Sequence, residues 1–146
     1  MGKEYDPAMH SAEHMLNQTM VRMFECGRCV NAHVEKRKSR IDYRFNRDLT
    51  PAEVSEIERR MNEVIIRDLP VMEEFFSRSE AEQQFHLGKL PSDAGDNIRI
   101  IRIGDYDACP CIGLHVGSTG EIGEFRIIST SYQNGLLRLR YKLNRK

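Results

Sequence analysis

Cys111-Ile112-Gly113-Leu114-His115-Val116, followed after two residues by Thr119-Gly120-Glu121-Ile122-Gly123-Glu124-Phe125, is the stretch on which the reading of this chain turns. Its first half sets a thiol and an imidazole on either side of a glycine-containing turn, a donor pair of the kind that zinc takes. Its second half opens a strand expected over 121–131. Gln133-Asn134-Gly135 then breaks the run, and Asn-Gly is a strong signal for a two-residue hairpin into a further strand over 136–143.

A complementary donor pair stands near the other end. His10-Ser11-Ala12-Glu13-His14 lies in a helix expected over 9–25, where Ala12, Leu16, Met20, Met23 and Phe24 recur at helical spacing and Gly27 marks a stop. Residues i and i+4 share a helix face, so both imidazoles can reach one ion. Three imidazoles and one thiolate make a tetrahedral set suited to zinc. Either pair alone is commonplace, and the helical pair is not a metalloprotease motif, because Glu13 adjoins the second histidine rather than the first.

The segments between fix the class. Thr50-Pro51-Ala52-Glu53 is a capping box, and Val54, Ile57, Met61, Val64 and Ile65 then share one helix face until Pro70 ends it. Short strands are expected over 29–34, 40–46 and 71–76, with Ile41, Tyr43 and Phe45 on one side of the second. A short helix is expected over 79–85, a loop over 87–97 and a strand over 98–103. Helices early and β-runs late give one α+β domain over 1–146, a largely antiparallel sheet packed against two longer helices.

Composition supports a globular chain: 40% of the 146 residues are hydrophobic and 30% charged. No apolar run is long enough to span a bilayer, and residues 1–6 lack the apolar core of a signal peptide, so a cytoplasmic protein is expected. Net charge is zero but uneven. Six basic residues and one acidic residue lie between Lys36 and Arg47, and five basic residues lie between Arg138 and Lys146. The two segments form a phosphate-facing patch if the fold unites them, and solvated strand faces with a basic tail if it does not. There is no P-loop, G-x-S-x-G or G-x-G-x-x-G.

The order of these motifs resembles the second additional domain of threonyl- and alanyl-tRNA synthetases and the free-standing alanyl-tRNA editing proteins. That family opens with H-x-x-x-H on a helix, here His10 to His14. It continues with N-x-x-I-x-x-x-L-P-V, here Asn62 to Val71, and with G-D-x-x-R-V, here Gly95 to Ile100. It closes with C-x-x-x-H-V and T-G-x-I-G-x-F, the stretch quoted at the outset. The resemblance runs from about His10 to the last strand. It implies zinc on His10, His14, Cys111 and His115, and a hydrolase that removes a wrong amino acid, serine or glycine on tRNA(Ala), from the 3′ end of a mischarged tRNA.

Within that frame Ser11, Gly113 and Leu114 are expected to touch the substrate, and His33 is the histidine expected as general base. Two departures bear on specificity. Ile112 and Leu114 stand where alanyl-type members carry a small residue and a hydroxyl, and Ala32-His33-Val34-Glu35 replaces a Gln-containing segment ending in Gly-Ser. A module that keeps the zinc fold and binds tRNA or a protein without turnover is the alternative. A zinc with four protein ligands is closed and structural, whereas an exchangeable position makes it catalytic. Cys26 and Cys29 form a C-x-x-C, readable as a redox pair, as half of a four-sulfur site with Cys109 and Cys111, or as reduced thiols without a joint role.

Overall fold

Asp6 starts the first helix. Its carboxylate accepts the Met9 N–H at 2.9 Å and Pro7 fills the first turn, so α1 runs Pro7–Phe24, ahead of where apolar periodicity alone places it. In this computed structural model, residues 6–85 and 97–144 are described. The helix α1 is buried on most sides. Met9, Ala12, Met15, Leu16 and Met20 enter the main core, and the polar His10, Ser11, His14, Asn17 and Thr19 are buried with them. Glu25 closes it in the left-handed region, at φ 54°.

The helix α2 runs Pro51–Arg67 and has the expected capping box, Thr50 accepting from the Glu53 N–H and Glu53 from the Thr50 N–H. Ile57, Met61, Val64 and Ile65 face the core. The other face is laced by ion pairs from Arg59 and Arg60 to Glu56 and from Arg59 to Glu63.

The strands are β1 Asn31–His33, β2 Ser39–Arg44, β3 Val71–Ser77, β4 Asn97–Ile103, β5 Asp107–Pro110, β6 Glu124–Gln133 and β7 Leu136–Asn144, with the short helix α3 Arg78–Gln84 after β3. The class is α+β and every strand pairing is antiparallel, as expected. The strands divide between two sheets, ordered β1-β2-β7-β6 and β3-β4-β5. Ile41, Tyr43, Leu137, Leu139, Tyr141 and Phe125 line the buried face of the larger sheet, in one core with α1 and α2. Asn134 and Gly135 turn the β6–β7 hairpin with φ of 52° and 82°, the double positive φ of a type I′ turn.

Three expectations shift. β5 has no alternating pattern of its own and becomes a strand by pairing with β4. β6 begins at Glu124 rather than 121, because Thr119–Glu121 forms a 3-10 turn. α3 begins earlier, behind a second capping box made by Ser77 and Glu80. The expected loop over 87–97 lies outside the described residues except for Asn97, which opens β4.

The end of α2 anchors the segment that follows the Cys111–His115 loop. The Asn62 amide accepts the Phe125 N–H at 2.8 Å and donates to the Phe125 carbonyl at 3.1 Å. Thr119 Oγ1 accepts from the Leu69 N–H and donates to the Val64 carbonyl, both at 2.8 Å. Asp68 accepts the Gly120 N–H, and a Cβ on Gly120 would sit 2.4 Å from that carboxylate. The Asn, Thr and Gly of the family-like motifs are thus joints of the frame. Among the described residues no helix is long and apolar enough to cross a membrane.

Candidate metal centre

The first two turns of α1 and the loop after β5 meet face to face. His10, His14, Cys111 and His115 each present a possible ligand atom, and these atoms all lie within 4.8 Å of one another. The three rings are in mutual contact: His10 stacks on His115 at a centroid distance of 4.2 Å, and His14 stands edge-on to both. Among the described residues this is the group of His, Cys, Asp and Glu close enough to hold an ion. A four-sulfur site is not assembled. Cys29 Sγ faces Glu13, Cys26 Sγ faces backbone carbonyls, and none of the four cysteines is in a disulfide. Burial pushes the Cys26 thiol up, the reverse of what activates a redox thiol, and the Cys109 thiol up to about 11.

The surroundings orient two of the rings. His10 Nδ1 lies 3.0 Å from the Leu114 carbonyl, an acceptor, so Nδ1 carries the proton and Nε2 is left with its lone pair, 3.5 Å from Cys111 Sγ. His115 Nδ1 lies 2.9 Å from Ser11 Oγ, which also accepts the Val116 N–H at 3.2 Å. His115 Nε2 and His14 Nδ1 are buried without a hydrogen-bond partner. Buried nitrogens left unpaired are costly unless something absent from the protein satisfies them, and a soft-to-borderline cation among three imidazoles and a thiol does so. The donor set fits zinc.

Electrostatics favour the neutral form in His14 and His115 and the charged form in His10. Burial, then the neighbouring His10 and Arg99, pulls the His115 pKa down to about 3. Burial and the two other imidazoles hold His14 well below its ordinary value. For His10 burial also pulls down, but the Cys111 hydrogen bond and charge, the Leu114 carbonyl and Glu13 outweigh it and raise the pKa.

The loop is shaped by groups that sequence reading gave no role. Arg99 Nη1 donates to the carbonyls of Cys111 at 3.1 Å and Gly113 at 2.8 Å, while its Nε is held by Glu73 at 2.6 Å. Asp107 lies 3.8 Å from His14 Nδ1 and is itself fixed by Gln18 and by a two-point contact with Arg28. Arg99 stood in a quoted motif, but nothing in its spacing marked it as a carbonyl clamp. Asp107, a buried acid in an unrecognised strand, left no signal.

The residues expected at the substrate fall in three places. Ser11 is wholly buried beneath the rings with its hydroxyl engaged. Gly113 packs against His10 so closely that a Cβ would lie 2.3 Å from Cε1 of the ring. Leu114 meets His10 through its carbonyl, while its side chain and that of Ile112 are exposed, 68% and 71%. His33 does not join the group. It lies on β1 opposite Arg40, with Nε2 2.8 Å from Glu35.

Residues 98–140 match the family model of the threonyl and alanyl tRNA synthetase second additional domain. The chain is also 33% identical to an alanine–tRNA ligase of Fervidobacterium nodosum over 84% of its own length, and 32% identical to that of Methanopyrus kandleri over 90%. A ligase of Halorubrum lacusprofundi is 40% identical over 69% of the chain. The chain is akin to the second additional domain and to a segment of alanine–tRNA ligases. It spans 11 to 15% of the length of these ligases. The matched segment of the second additional domain contains Cys111 and His115; the fold supplies the other half of the group by docking α1 against it.

Proposed function

We propose that the chain is an aminoacyl-tRNA deacylase that removes serine or glycine from the 3′ end of mischarged tRNA(Ala), with a zinc ion on His10, His14, Cys111 and His115. The observation that carries this is the convergence of four possible ligands, two of whose rings carry a buried nitrogen without a hydrogen-bond partner, in a chain akin to a segment of alanine–tRNA ligases. That kinship supports an editing role on tRNA, and the donor set supports zinc over harder cations.

Zinc bound there would supply Lewis-acid polarisation where a ligand position exchanges, and would otherwise cross-link α1 to the loop. The chain's own groups do the rest. The Leu114 carbonyl holds His10 in one tautomer and Ser11 orients the His115 ring, and Arg99 fixes the loop backbone. Gly113 leaves room for the His10 ring. Ester hydrolysis forms a bond from water oxygen to the carbonyl carbon, breaks the bond to the ribose oxygen, and delivers a proton to that oxygen. The ester is already activated, so positioning and oxyanion stabilisation supply most of the rate. The exposed side chains of Ile112 and Leu114 border this site and are the positions to select a small amino acid. The general-base role expected of His33 finds no support in its placement against Glu35.

The test is deacylation of seryl-, glycyl- and alanyl-tRNA(Ala) and of seryl-tRNA(Thr) by zinc-loaded protein. Release of serine or glycine from tRNA(Ala), with alanine spared, is expected. A zinc-loaded chain that turns over none of them would falsify the hydrolase reading and leave a zinc-bearing tRNA-binding module.

A further inference from the structure

Strand register sorts the larger sheet by face. The pairs Ser39–Tyr141, Ile41–Leu139 and Tyr43–Leu137 point inward and are buried. Between them Arg40 stands opposite Arg140 and Asp42 opposite Arg138, and on the next strand Arg126 stands opposite Lys142. Lys36, Arg37 and Lys38 are exposed in the adjoining β1–β2 turn. The strand and turn residues named here, from both basic segments of the sequence, are therefore drawn onto one outward face.

The acids on or beside that face each already have a partner. Asp42 is gripped at two points by Arg138, at 2.8 and 3.0 Å, Glu124 accepts from Asn144 at 2.9 Å, and Glu35 meets His33. Arg40, Arg126, Arg140 and Lys142 make no ion pair among the described residues. The contrast with the rest of the molecule is the argument. Arg47, Arg59, Arg60, Arg99 and Arg102 each have a carboxylate within 3.1 Å. Like charges directly opposite one another destabilise a sheet, and with 22 acidic residues for 22 basic ones the chain did not lack carboxylates to place there.

The geometry points to this face as the dock for the phosphate backbone of an RNA stem, apart from the metal group. The choice of RNA among polyanions rests on the proposed deacylase function. Duplex RNA is recognised chiefly through its shape, phosphates and 2′-hydroxyls, and an array of unneutralised cations on a pleated surface suits that backbone without reading sequence.

The experiment is binding of uncharged tRNA(Ala) to the full zinc-loaded chain across a salt series, for the wild type and for Arg40→Glu combined with Lys142→Glu. Each substitution places a carboxylate opposite a remaining arginine, so the variant is expected to melt at or above the wild-type temperature with zinc content unchanged. Its affinity is expected to fall about 10-fold or more, and its log–log salt slope to shrink by about 2 or more. Arg40→Gln with Lys142→Gln, should the first variant misfold, is expected to give the same loss in smaller measure. Unchanged affinity and slope in folded variants overturns the inference, as does a wild type that ignores tRNA or binds only vesicles containing phosphatidylserine. The two readings fail separately. A chain that deacylates while its tRNA binding is indifferent to these residues loses the dock and keeps the function. One that binds through them without turnover loses the function and keeps the dock.

Discussion

The helices α1 and α2 are nearly equal in length, 18 and 17 residues, and are built for different ends. The outer face of α2 is a lattice of Glu56, Arg59, Arg60 and Glu63, its inner face is apolar, and its far end holds β6 through Asn62. α1 instead buries polar side chains all along its length, five of them among its apolar ones. A soluble helix with an apolar stripe is explained by packing. A helix that buries two imidazoles and leaves one ring nitrogen unpaired is not, and that difference marks α1 as the chemical element and α2 as scaffold.

The comparison can be broken by substitution. The largest effect is expected for Cys111→Ala, which removes one of the proposed ligands, the thiol facing α1. Zinc falls from about one per chain to near zero, the melting temperature drops with it, and deacylation falls about 100-fold or more. Full zinc content in that variant, measured by mass spectrometry, would remove the ligand set. Gly113→Ala is next. It drives a methyl into the His10 ring, and zinc affinity is expected to fall about 10- to 100-fold while the helical circular dichroism signal stays near wild type. Loss of the fold before loss of metal would assign Gly113 to scaffold.

Substitutions on the α2 side should move stability and spare metal affinity. Asn62→Ala leaves the Phe125 N–H and carbonyl unpaired and is expected to cost about 2–4 kcal/mol in urea denaturation. Thr50→Ala removes the N-cap and is expected to cost about 1 kcal/mol. If either weakens zinc binding as strongly as it weakens the fold, the division between the helices is wrong.

Local chemistry was well written in the sequence. The Thr50 capping box, the Asn134-Gly135 turn and the inward alternation of Ile41 and Tyr43 all appear as expected, because each depends on neighbours within a few residues. The His–x–x–x–His and Cys–x–x–x–His pairs could be read separately, and the resemblance joined them. What sequence did not carry was set by pairing and packing rather than by local residue pattern. β5 exists through β4, Arg99 acquires its role from carbonyls twelve and fourteen residues on, and Asp107 reaches His14 across the core. The charge segments were visible as well, but whether they shared a face depended on register, which Arg40 opposite Arg140 supplies.

His10 and Cys111 are 101 residues apart in the chain yet adjacent in space. At ribosomal speeds of about 5–20 residues per second, about 5–20 s pass between the emergence of the helical histidines and that of the loop cysteine. Throughout that interval the nascent helix exposes its polar, ring-bearing side with nothing to close it. The cluster cannot close until the loop has left the ribosome, and a message truncated ahead of the loop yields half a site and an unburied α1.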